Sequence, residues 1–309
     1  MTAIIEVEKL TKSYGRRRGI ADVSFQVGEG EVFGFLGPNG AGKTTTIRVL
    51  MALIRADSGS AKITGLDCWD RSVDIKRSVG SVPGEPSLDG NLTGGQILEY
   101  FANLRGGVDQ KYLNQLVERL DLDTGRKFRQ YSTGNKRKVV LIQAFMHKPR
   151  VLILDEPTSG LDPLNQQEFD GMVREAREEG RTVFLSSHVL SEVEKTCTRV
   201  GIIREGRLVK IGGVHDLKDI KRYEITILFA QPVPVEAFAQ LEGVTDVETL
   251  NDGRAVRLAM QGSADAVIKA AAHYPVISLT SYEPSLEDVF LRYYESDGRP
   301  AKEVAANVV

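Results

Sequence analysis

Gly37-Pro38-Asn39-Gly40-Ala41-Gly42-Lys43-Thr44-Thr45 lies between the strand-like Glu31-Val32-Phe33-Gly34-Phe35-Leu36 and the run Thr44-Thr45-Thr46-Ile47-Arg48-Val49-Leu50, whose apolar residues suit one helix face. Strand, glycine-rich turn and helix form the setting in which this pattern cradles phosphate. Glycines at 37, 40 and 42 let the backbone bend and turn successive N–H groups inward, where the helix macrodipole adds positive potential. Lys43 can reach the β- and γ-phosphates as a point charge, the Thr44 hydroxyl is placed to ligate Mg²⁺, and Thr45 offers a further donor. Pro38, Asn39 and Ala41 complete the loop. A turn that merely joined a strand to a helix would not need this lysine and hydroxyl in register.

A second segment supplies carboxylates. Val151-Leu152-Ile153-Leu154 reads as a buried strand ending in Asp155-Glu156, and strand ends of this kind are where α/β sheets place ligands. Alternation along a strand sends the two side chains to opposite faces. Asp155 suits the Mg²⁺ shell, and Glu156 suits a general base polarising the water that attacks the γ-phosphate. Further on, Thr182-Val183-Phe184-Leu185-Ser186-Ser187 is a strand with His188 at its tip, placed to contact the γ-phosphate or to hold Glu156 and the water. The histidines at 147, 215 and 273 have no such setting.

The 309 residues allow one large domain or two ordinary ones. Forty basic residues against forty-two acidic ones leave a net charge of −2, so no general drive toward nucleic acid or anionic lipid exists. Arg16-Arg17-Arg18 and Lys136-Arg137-Lys138 are the densest basic clusters; both are short, and the first reads as solvated surface. No nucleic-acid partner is expected. Cys68 and Cys197 stand alone, without metal-ligand or disulfide spacing, which fits a reducing compartment. The N-terminal residues lack the pattern of a secretory leader, and no segment approaches the ~20 apolar residues of a membrane span. Work at a membrane would require another protein as anchor.

With these residues placed, the chain resembles the ATP-binding subunits of ABC transporters over about residues 4 to 215. Tyr131-Ser132-Thr133-Gly134-Asn135 resembles the family's Leu-Ser-Gly-Gly-Gln signature, and Ser159-Gly160-Leu161-Asp162 its D-loop. His188 matches its switch histidine, and Tyr14 in Lys12-Ser13-Tyr14-Gly15 matches the aromatic that stacks on adenine. Ser132 and Gly134 precede the helical run Val139 to Met146, so a hydroxyl and backbone amides sit near a second helix N-terminus. The resemblance implies two such domains paired head to tail, as a homodimer or heterodimer, with each ATP between one loop and the partner's signature. It also implies that Ser132, Gly134 and Asp162 join the nucleotide site. Two departures stand out. Gly84 in Val82-Pro83-Gly84-Glu85-Pro86 occupies the position of the family's Mg²⁺-approaching glutamine, with Glu85 as candidate substitute, and Thr133 and Asn135 replace Gly and Gln of the commonest signature.

The implied fold is an α/β P-loop NTPase cassette with a parallel-sheet core, an antiparallel β subdomain and a helical subdomain, plus a small α+β C-terminal domain. Strands alternate through residues 4 to 35, and helical spacing runs from Leu92 to Met146, with Asn91 or Thr93 as a cap. The expected cassette spans 1–213, its helical subdomain about 90–147, and the accessory domain 214–309. In the latter, Tyr223–Phe229, Val244–Leu250, Ala255–Ala259 and Val276–Leu279 read as strands around helices Val235–Leu241 and Ala264–Ala272. Ser285 to Leu291 resembles the terminal helix of exporter-type subunits. The function implied is ATP hydrolysis powering export through a separate membrane permease at the cytoplasmic face of the membrane, with ATP and Mg²⁺ as ligands. The alternative is a soluble ABC ATPase acting on ribosomes or DNA; such proteins usually carry two cassettes or a long coiled-coil or basic insertion, and neither is present here.

Overall fold

Apolar residues spaced by two in the N-terminal segment fold β1 (Ala3–Tyr14) and β2 (Arg17–Gly28) into an antiparallel pair, with Ile5, Val7, Val23, Phe25 and Val27 on the buried side. The computed structural model describes residues 2–15, 17–217 and 223–282. β3 (Val32–Leu36) runs into the glycine loop and α1 (Lys43–Leu50); β4 (Ser58–Ile63) and β5 (Leu66–Asp67) return to the first pair, giving a four-stranded sheet ordered β2-β1-β4-β5.

α2 (Ser72–Ser78) and β6 (Val79–Val82) lead into the helical part, formed by α3 (Gly94–Leu104), α4 (Gln110–Arg119) and α5 (Thr133–Phe145). Thr93, not Asn91, caps α3, in a capping box completed by Gln96. Then follow β7 (Val151–Asp155), α6 (Pro163–Glu178), β8 (Thr182–Ser187), α7 (Leu190–Thr196), β9 (Arg199–Arg204) and β10 (Arg207–Gly213). The second sheet is ordered β10-β9-β3-β8-β7-β6; its pairs are parallel except the β9/β10 hairpin. β3, β7 and β8 are buried along their whole length, as strands covered on both faces must be.

Phe25 of the antiparallel sheet packs against Phe33, Phe35 and Phe184 of the parallel one, with ring centroids 5.4 to 5.7 Å apart. Each such pair contributes about 0.5–1.5 kcal/mol beyond area burial. The two sheets thus share one core, and β3 is held rigid directly before the loop. Cys68 and Cys197 are free and buried, and burial pushes both thiols up to about 12.

The chain divides into two compact units at Gly213/Val214. The second contains α8 (Val214–Leu217), β11 (Tyr223–Phe229), α9 (Glu236–Ala239), β12 (Val244–Leu250), β13 (Ala255–Met260), α10 (Asp265–Ala271) and β14 (Val276–Tyr282). Its antiparallel sheet is ordered β12-β13-β11-β14, the split βαβ arrangement. Ile225, Ile227, Phe229, Val256, Leu258 and Met260 pack with Phe238 and Val267 into a separate core. Segment 285–291, read from sequence as a terminal helix, lies outside the described residues. No helix among the described residues is long and apolar enough to cross a membrane.

Candidate functional site

Gly37 to Gly42 carries the chain from the rigid end of β3 to the start of α1. Gly42 occupies the N-cap position at φ 112°, a backbone state open to glycine, and a β-carbon there would lie 2.7 Å from Ile20 Cγ2. No side chain caps α1. Its first N–H groups, which have no intrahelical partner, therefore face the loop as donors with the positive helix end behind them. Lys43 is buried, and its ammonium donates to the carbonyls of Gly37 at 2.6 Å and Pro38 at 3.2 Å. Thr44 and Thr45 are half-buried, whereas Asn39 and Gly40 lie exposed at the rim.

Asp155 ends β7 fully buried, and its Oδ1 accepts a 2.6 Å hydrogen bond from the Ser186 hydroxyl. Glu156 follows in the left-handed region at φ 48°, where a non-glycine residue is strained; its N–H is held by the carbonyl and hydroxyl of Ser186. That turn aims the Glu156 carboxylate between two partners. His188 Nδ1 lies 2.7 Å from Oε2, and Lys43 Nζ lies 3.1 Å from Oε1, an ion-pair contact without hydrogen-bond geometry. The adjacent turns are tied together by Glu192, whose carboxylate accepts from Thr158 at 2.8 Å and Ser187 at 3.1 Å.

The remaining sequence-selected residues occupy distinct places. Ser132 is the N-cap of α5, accepting from the Asn135 N–H at 3.2 Å, and Asp162 caps α6, accepting from Asn165 N–H at 3.0 Å. The Asn165 bonds hold the Asp162 carboxyl below the usual carboxylate range. Gly134 lies so near Gly160 that a β-carbon would stand 2.6 Å from the Gly160 carbonyl oxygen, so signature and D-loop abut within one chain. No hydrogen bond or ion pair joins residues 132–134 to 37–45 among the described residues. Tyr14 is exposed at the end of β1; its ring lies beside Gly19, on the strand whose next residue, Ile20, packs on Gly42.

Glu85 is exposed and makes no hydrogen bond or ion pair among the described residues, whereas Gly84 backs directly onto Asp155, with a β-carbon there 3.0 Å from Oδ2. No group of three or more His, Cys, Asp or Glu side chains is arranged to hold a metal among the described residues. Asp155 Oδ2 stays outside the hydrogen bond to Ser186, the kind of carboxylate oxygen through which Mg²⁺ binds beside substrate phosphates and water.

Sequence reading did not single out Arg137, Ser186 or Glu192. Arg137 belongs to a short basic run, yet it is 2 % exposed and donates to the carbonyls of Pro83 at 2.7 Å, Gly84 at 2.6 Å and Ser159 at 3.3 Å. Burial pulls its guanidinium below the ordinary range, and Asp155 and Glu156 offset part of that. The detectable signal was its place on the buried face of α5, where a charge must have partners.

The family model described as ABC transporter matches residues 20–159, and that described as ATP-binding protein DrrA1-3-like, C-terminal domain, matches 212–294. An uncharacterized ABC transporter ATP-binding protein, YhcH of Bacillus subtilis (strain 168), is 36% identical over 98% of this chain and 99% of its own. The bacitracin transport ATP-binding protein BcrA of Bacillus licheniformis is 35% identical over 94% of this chain and 97% of its own. A solved ATP-binding subunit of an ABC transporter superposes with a TM-score of 0.65 at 29% identity, covering 70% of this chain and 92% of that one. These relatives are transport subunits, not the soluble ribosome- or DNA-directed ATPases of the alternative reading. A glycine loop at an uncapped helix, a carboxylate pair at a strand end and near full-length relatives converge: the chain belongs to the ATP-binding subunits of ABC transporters, ATPases whose turnover powers transport.

Proposed function

We propose that this chain powers export of an antibiotic-like compound through a separate membrane permease, as one of two ATP-binding subunits on the cytoplasmic face. ATP phosphates occupy the loop from Gly37 to Thr45, with Lys43 turning from its own carbonyls to the β- and γ-phosphates, and adenine stacks on Tyr14. Thr44 and Asp155 would hold Mg²⁺, which would supply neutralisation of the charge that develops as the γ-phosphoryl leaves. Glu156 accepts the proton of the attacking water, and His188 fixes the carboxylate that accepts it. Ser132 and Gly134 of a second subunit close the site from the opposite side, and Asp162 lines the same interface.

The observation carrying this reading is Glu156, held by His188 on one oxygen and facing Lys43 with the other. ATP drives closure because it binds the closed pair better, and hydrolysis releases that closure. An apolar groove of about 850 Å³ beside Pro83, lined by Met51, Leu53, Val73, Leu88, Phe101 and Leu104, supports a permease contact on the cassette. The cargo class is carried over from the bacitracin transport relative, and the export direction from the exporter-type resemblance of the sequence.

The test is Glu156→Gln in the full chain. It is expected to bind ATP, to accumulate as an ATP-bound dimer on gel filtration, and to lose turnover. A variant hydrolysing ATP at the parent rate would remove Glu156 as the base. Pull-down of an integral-membrane partner from native membranes, followed by vesicle transport of bacitracin-like peptides, tests the export reading.

A further inference from the structure

We propose that Arg137 is a positioning residue for hydrolysis, clamping the Pro83-Gly84 segment and the Ser159 turn in one arrangement around Asp155 and Glu156. The inference rests on the reading of Glu156 as base and extends it to the helix that carries the signature. Arg137 sits one helical turn past Thr133, so its guanidinium moves with the start of α5.

The guanidinium addresses two separate loops at once. Nη1 and Nη2 donate to the adjacent carbonyls of Pro83 and Gly84, at 2.7 and 2.6 Å, while Nε donates at 3.3 Å to Ser159, three residues beyond Glu156. A planar fork with fixed donor directions can serve both sides; the single ammonium of a lysine cannot. Gly84 is in turn pressed on Asp155, where a β-carbon would lie 3.0 Å from Oδ2. Ser159 belongs to the turn in which its own N–H bonds the Glu156 carbonyl at 3.2 Å. One buried charge therefore sets the backbone on both sides of the carboxylate pair.

The family's glutamine position is Gly84 here, with no side chain to report on Asp155. What links that loop to the helical subdomain instead is the carbonyl of Gly84 held by Arg137. Burying an arginine is expensive unless it is hydrogen-bonded, and here each of its three nitrogens donates one bond. All three acceptors are loop carbonyls, none a carboxylate.

The experiment uses the full chain with Arg137→Met and Arg137→Lys, measuring kcat and KM for MgATP, affinity for a fluorescent ATP analogue by direct titration, and thermal midpoint. Arg137→Met is expected to lower kcat by about 30-fold, the loss of charge-assisted hydrogen bonds, while analogue affinity stays within about threefold. Arg137→Lys recovers part of kcat, because a lysine reaches one loop only. Combining Arg137→Met with Glu156→Gln should leave the rate of Glu156→Gln alone, since the arginine acts through that carboxylate.

Parent kcat in Arg137→Met overturns the proposal, as do equal losses of kcat and affinity or multiplying losses in the double variant, which mark a general structural role. Should Arg137→Met not fold, Arg137→Lys decides: reduced kcat at parent affinity supports the clamp, and parent kcat overturns it. An active Glu156→Gln would instead break the base assignment. An inactive Glu156→Gln with a fully active Arg137→Met leaves that assignment intact and removes only the clamp.

Discussion

Two helix starts in the cassette carry the family's motifs, one after a glycine-rich loop and one with the single glycine Gly134, yet they are built differently. α1 begins at Gly42 with no capping side chain, and its unpaired N–H groups face the loop that holds Lys43. α5 begins at Ser132, whose hydroxyl already accepts from the Asn135 N–H. An uncapped helix start keeps its donors for an incoming anion, whereas a capped one is complete without it. The difference teaches that the first site is prepared by the chain itself. The second is complete alone, and under the proposed pairing it would meet phosphate when another subunit brings it.

The largest expected effect falls on the uncapped end. Lys43→Ala should lower turnover by at least about a thousandfold, the scale of removing a charge from a transferring phosphoryl group. Steady-state hydrolysis checks this, and near-parent rates would break the assignment of α1 as the working site. Next, Glu156→Gln should cost about a hundredfold or more in turnover while ATP affinity is retained, measured by nucleotide titration beside hydrolysis.

Mixing sharpens the comparison. Ser132→Ala and Lys43→Ala chains, each impaired alone, should regain a fraction of parent activity when combined. The intact loop of one then faces the intact signature of the other. Failure to complement at any ratio would mean that the two helix starts do not meet across a pair. The smallest effect is reserved for a cap without phosphate chemistry: Thr93→Ala removes the α3 capping box and should cost about 1 kcal/mol in denaturant unfolding, with hydrolysis unchanged.

Much of this site was legible residue by residue. The loop, the strand ending in Asp155-Glu156 and the tip at His188 are local patterns, each written in contiguous sequence, and the structure brings Lys43, Glu156 and His188 into contact. The strands and helices of the second unit were legible for the same reason, since alternation and helical spacing are short-range signals. Arg137 was not, because a basic residue in a short basic run looks like surface until packing buries it. Glu192 was hidden likewise: its partners Thr158 and Ser187 lie in different segments of the chain.

By itself the sequence determined the ligand class and many of the elements, and its motifs carried the resemblance to the family, because phosphate loops, strand-end carboxylates and hydrophobic periodicity depend on neighbours a few residues away. Only the tertiary structure decided that Gly84, rather than Glu85, meets Asp155, and that one buried arginine joins two loops around the carboxylates. Those contacts span separations of 22 to 54 residues for Arg137. Pairings at such range are set by how sheets and helices pack, which no local pattern records.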